Sequence, residues 1–134
     1  MEPRAHSFHK SERVTGRTLV EWLFKGGASR SMSSYPLRAV YALKERAVDE
    51  SPVRILVSVP KRCFKRAVKR NRVKRQVREA YRHNKQLMGQ RMSLMPGQAL
   101  MVAFIWMDDR LHDSDEVERK VQSLLMRINE KLCQ

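Results

Sequence analysis

The stretch Val53-Arg54-Ile55-Leu56-Val57-Ser58-Val59-Pro60 leads straight into Lys61-Arg62-Cys63-Phe64-Lys65-Arg66-Ala67-Val68-Lys69-Arg70-Asn71-Arg72-Val73-Lys74-Arg75-Gln76-Val77-Arg78-Glu79. Val53, Ile55, Val57 and Val59 alternate with Arg54, Leu56 and Ser58, the period of a strand, and Pro60 ends it. Beyond Pro60 the period changes: Val73, Val77, Ala80 and Tyr81 recur at steps of four, three and one, the stripe of a helix with one buried face. Lys61 to Arg82 holds eleven Lys or Arg and one acid, Glu79. At about 100° per residue, Asn71, Arg72, Lys74, Arg75, Arg78, Arg82 and Lys85 project away from the stripe, so the charge sits on a folded face that suits a polyphosphate backbone. Phe64, Ala67 and Val68 fall off the stripe, which predicts irregular backbone from Lys61 to Val68. Arg70 falls beside it, at the helix entrance or with its charged head carried outward on its stem.

Upstream, residues 1–10 show no periodicity and are expected to form a flexible arm, with His6 and His9 as surface histidines. A helix is expected from Ser11, capped by Ser11 or Thr15 and stopped by Gly26-Gly27. Leu19, Val20, Trp22, Leu23 and Phe24 make its second half apolar nearly all round, so one face should meet a sheet and another wall a groove. Ala28 to Ser34 suits a loop. Tyr35 to Leu43 alternates as a first strand, with Pro36 near its start, and Lys44 to Pro52 reads as a turn.

Downstream, the basic helix should end near Met88-Gly89, followed by a loop to the Pro96-Gly97 turn. Ala99 to Trp106 is a continuous apolar run, fitting a central strand covered on both faces or a short buried helix. Asp113 and Glu116 have capping-pair spacing, and Val117, Val121, Leu124, Leu125, Ile128 and Leu132 form the core stripe of a final helix. The order predicts an α+β sandwich, one domain over residues 11–134.

A formal net charge of +14 on 134 residues exceeds what solubility requires and points to a nucleic-acid partner. Cys63 and Cys133 are too few for a disulfide scaffold and lack zinc spacing, so free thiols in a reducing compartment are expected. With no membrane-span run and no apolar leader at Met1 to Lys10, a cytoplasmic location is expected.

Lys61-Arg62, Arg66-Ala67, Arg70-Asn71-Arg72, Lys74-Arg75 and Arg78-Glu79, on a helix that follows a β-branched strand, together resemble the signature of the bacterial ribonuclease P protein family. The likeness spans roughly Ser11 to Leu132 and is residue-specific from Arg54 to Glu79. It implies a four-stranded sheet with three helices, a left-handed βαβ crossover and an architecture like a domain of ribosomal protein S5. It also implies a partner, the catalytic RNA that removes the 5′ leader from precursor tRNA, with magnesium bound mainly by that RNA. The protein would contact the catalytic RNA and the single-stranded leader. The resemblance assigns Lys61, Arg62, Arg66, Arg70, Asn71, Arg72, Lys74, Arg75 and Arg78 to RNA binding, although a backbone-bonding role suits Asn71 as well. It assigns Arg13, Phe24, Tyr35 and Arg38 to a leader cleft between the first helix and the sheet. Val20 and Arg38 stand where the family often has aromatics, Tyr35, Trp22 and Tyr41 are the candidates to compensate, and strand parity decides which of them faces the groove. Phe24 and Trp22 fit a core role equally well.

Phosphodiester hydrolysis needs an activated water and positioned charge, and no cluster, Walker pattern or zinc spacing supplies them. Asp108-Asp109, between a strand and a helix, suit turn and capping roles, and His83 has only Glu79 as an evident acid neighbour. No catalytic residue is expected in the chain. A structural RNA-binding protein of ribosomal type would share the basic helix and the architecture. A membrane-surface role is less suited, since Val73, Val77 and Ala80 offer little to insert.

Overall fold

The computed structural model describes residues 17–25 and 29–133. They form α1 (Arg17–Lys25), β1 (Arg30–Ser34), β2 (Leu37–Glu45), β3 (Val53–Ser58), α2 (Ala67–Ser93), β4 (Gln98–Trp106) and α3 (Ser114–Leu132). The expected arm over residues 1–10, the caps Ser11 and Thr15, the Gly26-Gly27 stop and Arg13 lie outside the described residues.

The strands make one sheet in the order β1-β2-β4-β3. β1 with β2 and β2 with β4 are antiparallel, while β3 and β4 are parallel, so α2 carries the chain between two parallel neighbours. This is the α+β class expected, and β4 is the central strand that its unbroken apolar run calls for. Each of its residues from Ala99 to Phe104 is buried. The polar segment expected to be a loop is instead an edge strand: Arg30 to Ser34 pairs residue for residue with Tyr41 to Leu37. Its sequence RSMSS lacks apolar alternation because an edge strand leaning on a neighbour needs little burial of its own. β1 and β2 are joined at Tyr35-Pro36, a cis peptide in a two-residue turn.

Alternation along β2 divides the core. Leu37, Ala39 and Tyr41 join Val53, Ile55, Val57, Leu100, Val102, Phe104 and Trp106 under α2 and α3. Val40 and Ala42, with Met101 and Ala103, face the other way and are covered by Leu23 of α1. On the first face α2 packs over β3 and β4 while α3 packs over β1 and β2.

α2 begins at Ala67, so Ala67 and Val68, expected in irregular backbone, are instead helical and exposed off the stripe, and the helix runs past the expected stop at Gly89 to Ser93. Met88 and Met92 extend the apolar stripe across that glycine and are fully buried, and this burial outweighs the roughly 1 kcal/mol that an interior glycine costs. The Arg46 guanidinium fastens the helix end to the sheet: Nε donates to the Gln98 carbonyl at 2.9 Å, and Nη2 to the carbonyls of Met92 and Met95 at 3.2 and 3.4 Å. In the β2–β3 connection Glu50 accepts from Lys44 Nζ at 2.6 Å, from the Ala47 amide at 2.9 Å and from Arg54 at 3.3 Å. Burial alone would raise the Glu50 pKa, but these donors together hold it below the usual carboxylate range.

The β4–α3 connection is fixed by a histidine between two acids. His112 Nε2 meets Asp108 Oδ2 at 2.7 Å, Nδ1 meets Glu116 Oε2 at 2.9 Å, and the ring stands edge-on to Trp106. Asp113 caps α3, its carboxylate accepting from the Glu116 amide at 2.8 Å as the capping pair predicts. Gln76 of α2 donates to the His112 carbonyl at 2.9 Å and ties the connection to the basic helix. Both ring nitrogens can serve carboxylates only as donors, which requires the imidazolium. The Asp108 bond raises the His112 pKa most, partial burial opposes the rise, and Glu116 reinforces it. A histidine whose folded pKa is raised stabilises the fold fully below its unfolded value of about 6.5 and loses that contribution as pH climbs through the folded value. Replacing His112 with Ala should therefore lower the melting temperature most near about pH 5.5 and progressively less above about pH 7. A destabilisation that stays constant across this range would assign His112 to packing alone.

Candidate nucleic-acid interface

The cationic surface is built in two parts. The first is the turn between β3 and α2, where Lys61, Arg62, Lys65 and Arg66 are all exposed. Its anchor is apolar: Phe64 is buried in the main core, the Cys63 amide donates to the Pro60 carbonyl at 3.0 Å, and the Cys63 thiol approaches the Trp106 carbonyl at 3.7 Å. The second part is the outer side of α2, where Asn71, Arg72 and Arg75 are exposed and Lys74 and Arg78 half-buried. Among the described residues no carboxylate pairs with Lys61, Arg62, Lys65, Arg66, Arg72, Lys74 or Arg75. Glu79 pairs with Arg82 instead, and this hydrogen bond, more than any other influence, holds its pKa low. Those seven cations therefore keep their charge free of salt bridges before a polyanion arrives.

Arg70 stands apart from the other basic residues of α2. Its Nη1 donates to the carbonyls of Phe64 and Lys65, each at 2.8 Å. The sequence leaves Arg70 either at the helix entrance or reaching outward, and the structure shows the first: the side chain turns back along the helix and closes the preceding turn. Arg66, the residue before α2, makes no side-chain cap, and this guanidinium joins the Phe64 anchor in holding the connecting loop against the first turn. No amino-acid pattern distinguishes such a clamp from a ligand-facing arginine.

His83 also has a partner beyond sequence reach. Its Nδ1 lies 2.6 Å from Glu118 Oε1 of α3, while Glu79 is 3.4 Å from Nε2. The expectation of Glu79 as sole acid neighbour is thereby corrected, because Glu118 is distant in sequence and adjacent only through helix packing.

The leader-cleft residues divide by position. On the α1 side of the sheet the cross-strand row Ser33, Arg38, Ile105 and Ser58 lies next to the α1-covered row Val40, Ala103 and Leu56. Arg38 is exposed and Ile105 and Ser58 are partly so, which leaves a shallow shelf beside α1. This row lies where β3 runs out toward the Lys61-Arg62 turn, so shelf and basic turn share one end of the sheet. Parity places Tyr41 in the opposite core, at 4% exposure. Tyr35 lies in the adjoining turn, 58% exposed, its hydroxyl bonded to the Asp108 carboxylate. On α1, Leu23 is the core residue and Phe24 is 43% exposed. Trp22 is partly buried against the same small core.

Removing the Arg70 clamp should free the loop without unfolding the protein. Amide hydrogen exchange across residues 61–66 should accelerate in an Arg70→Ala variant, which removes both bonds from Nη1. Exchange unchanged from wild type would return Arg70 to the set of outward-facing cations.

The Ribonuclease P family model matches residues 8–129. The chain is 44% identical over 128 residues to the ribonuclease P protein component of Porphyromonas gingivalis, covering 94% of this chain and 89% of that one. It is 33% identical over 111 residues to the ribonuclease P protein component of Chlorobaculum tepidum, covering 78% of this chain and 70% of that one. The solved RNase P protein from Thermotoga maritima shares the fold with a TM-score of 0.63 at 24% identity, over 87% of this chain and 96% of that chain. With this sheet order and this basic helix, the chain belongs to the ribonuclease P protein family.

Proposed function

We propose that this chain, as the protein component of ribonuclease P, grips the catalytic RNA of its particle through α2 and the Lys61–Arg66 turn. It guides the single-stranded 5′ leader of precursor tRNA over the shelf beside α1. The observation that carries this reading is the cationic face itself: ordered on a rigid helix, with Lys61, Arg62, Arg66, Arg72, Lys74 and Arg75 lacking a carboxylate partner among the described residues, and sharing one end of the sheet with a shelf bearing Arg38. Phosphate contacts from Arg72, Lys74, Arg75 and Arg78 release counterions and fix register, and they lessen the repulsion between two polyanions brought together. The ribonucleoprotein is then the endonuclease. Its RNA makes and breaks bonds with magnesium that it mainly binds itself, and the protein supplies alignment. Asp108, His112 and Glu116 are taken up in holding the β4–α3 connection, which suits a chain without a catalytic role. Among the described residues no helix is long and apolar enough to cross a membrane.

Reconstitution with the partner RNA and a leader-bearing precursor tRNA tests this directly. The protein should lower the magnesium concentration needed for leader release, and protein freed of RNA should cleave nothing. Specific cleavage by the protein alone, or an unchanged magnesium requirement, would overturn the reading.

If Phe24 stacks on a leader base, a Phe24→Ala variant should lose about 1 to 3 kcal/mol of affinity for a precursor with a leader of several nucleotides. Mature tRNA should bind both proteins equally. A core phenylalanine would instead cost about 3 to 5 kcal/mol of stability, so equal losses for both RNAs with a lower melting temperature would remove Phe24 from the cleft.

A further inference from the structure

A second cationic surface lies at the other edge of the sheet, between β1 and α3. Two adjoining hollows of about 490 and 420 Å3 share Arg30, Tyr41 and Lys131, and Arg127 lines the second. Together they form one open trough along the sheet edge. At about 100° per residue, Lys120, Arg127 and Lys131 fall within roughly 40° of one another on α3. By the same count they lie roughly 170° around the helix from Glu118 and Asn129, which bond to His83 and Arg91 of α2. The stripe therefore lies on the side of α3 away from α2, and from it the Arg127 guanidinium bridges to β1, donating to the Ser33 carbonyl at 2.7 Å. At a rise of about 1.5 Å per residue the three cations extend over about 16 Å. Glu130 is the one acid lining the trough, and among the described residues neither Arg30 nor Lys131 has an ion-pair partner.

We infer that this trough is a second phosphodiester-binding surface, holding a backbone segment of the partner RNA on the far side of the α2–α3 pair from the basic face of α2. The inference rests on the proposed function. Arg30 and Lys131 stand on opposite walls, so a strand lying between them would be contacted from both sides, while Tyr41 and Leu43 floor the groove. Charge favours a polyanion over the chain's own first sixteen residues, in which Arg4, Lys10, Arg13 and two histidines outweigh Glu2 and Glu12. Two separated anchor surfaces would fix the orientation of the protein on a folded RNA, which a single helix face leaves free to pivot.

The test uses the full-length Arg30→Ala/Lys131→Ala double variant, which leaves the Arg127 bridge intact, beside Arg72→Ala/Lys74→Ala and wild type. The probe is in-vitro transcribed ribonuclease P RNA, titrated over a range of salt concentrations. The trough variant should keep the wild-type melting temperature, and its plot of log affinity against log salt should flatten by about 1.4 to 1.8. Its losses should add to those of the α2 variant, and hydroxyl-radical protection should disappear from nucleotides different from those lost on changing α2. If the α2 variant loses affinity while the trough variant matches wild type, the trough inference falls and the proposed function stands. If wild type itself fails to bind this RNA, both fall. A trough variant that binds RNA normally but loses self-association would reassign the surface to a second copy of the chain.

Discussion

The fold depends on a narrow apolar stripe. Val73, Val77, Ala80, Tyr81, Met88 and Met92 are the buried residues of α2, and they hold a helix whose other sides repel one another against the sheet. Like charges recur at i,i+4 through Arg70, Lys74, Arg78 and Arg82, and each such pair costs a few tenths of a kcal/mol, about 1 kcal/mol in total. Burying the stripe contributes roughly 10 kcal/mol, so packing decides the conformation and charge decides only which side faces outward. The cations are thereby fixed on a rigid support. A flexible basic tail would have to lose conformational entropy each time it met RNA, a cost that the folded helix has already met.

Sequence pattern revealed those elements whose burial is periodic or unbroken. β3, β4 and α3 carry their own signals, and the Asp113–Glu116 pair announces the start of α3 because capping is local chemistry. β1 carries none, since Ser31, Ser33 and Ser34 gain strand geometry from pairing with β2 and not from their own side chains. The length of α2 was obscured at Gly89, an exposed position where an added methyl group would meet nothing and where the stripe on either side carries the helix through.

The candidate site divides in the same way. Net charge, and the side of α2 on which it lies, follow from composition and the helical period. The particular duty of each cation does not. Arg70 and Arg72 are two residues apart in one triplet, yet one serves the protein's own carbonyls and the other faces solvent. His83 and Glu118, or Tyr35 and Asp108, meet only because helices and turns distant in sequence come together. Alternation along β2 sets Arg38 and Tyr41 on opposite faces, but which of the two lies on the α1 side needed the observed packing.

The strand order also has a consequence for how the chain comes to be folded. β2 and β3 are nearly adjacent in sequence but never touch, since β4 fills the place between them and is made only after the whole of α2. Until Trp106 has left the ribosome, α2 lacks the central strand of the sheet it must cover. The emerging chain must therefore carry a highly charged, half-apolar helix with its burial incomplete. Completion is correspondingly non-local and cooperative, tying formation of the RNA-facing surface to closure of the sheet in one late event.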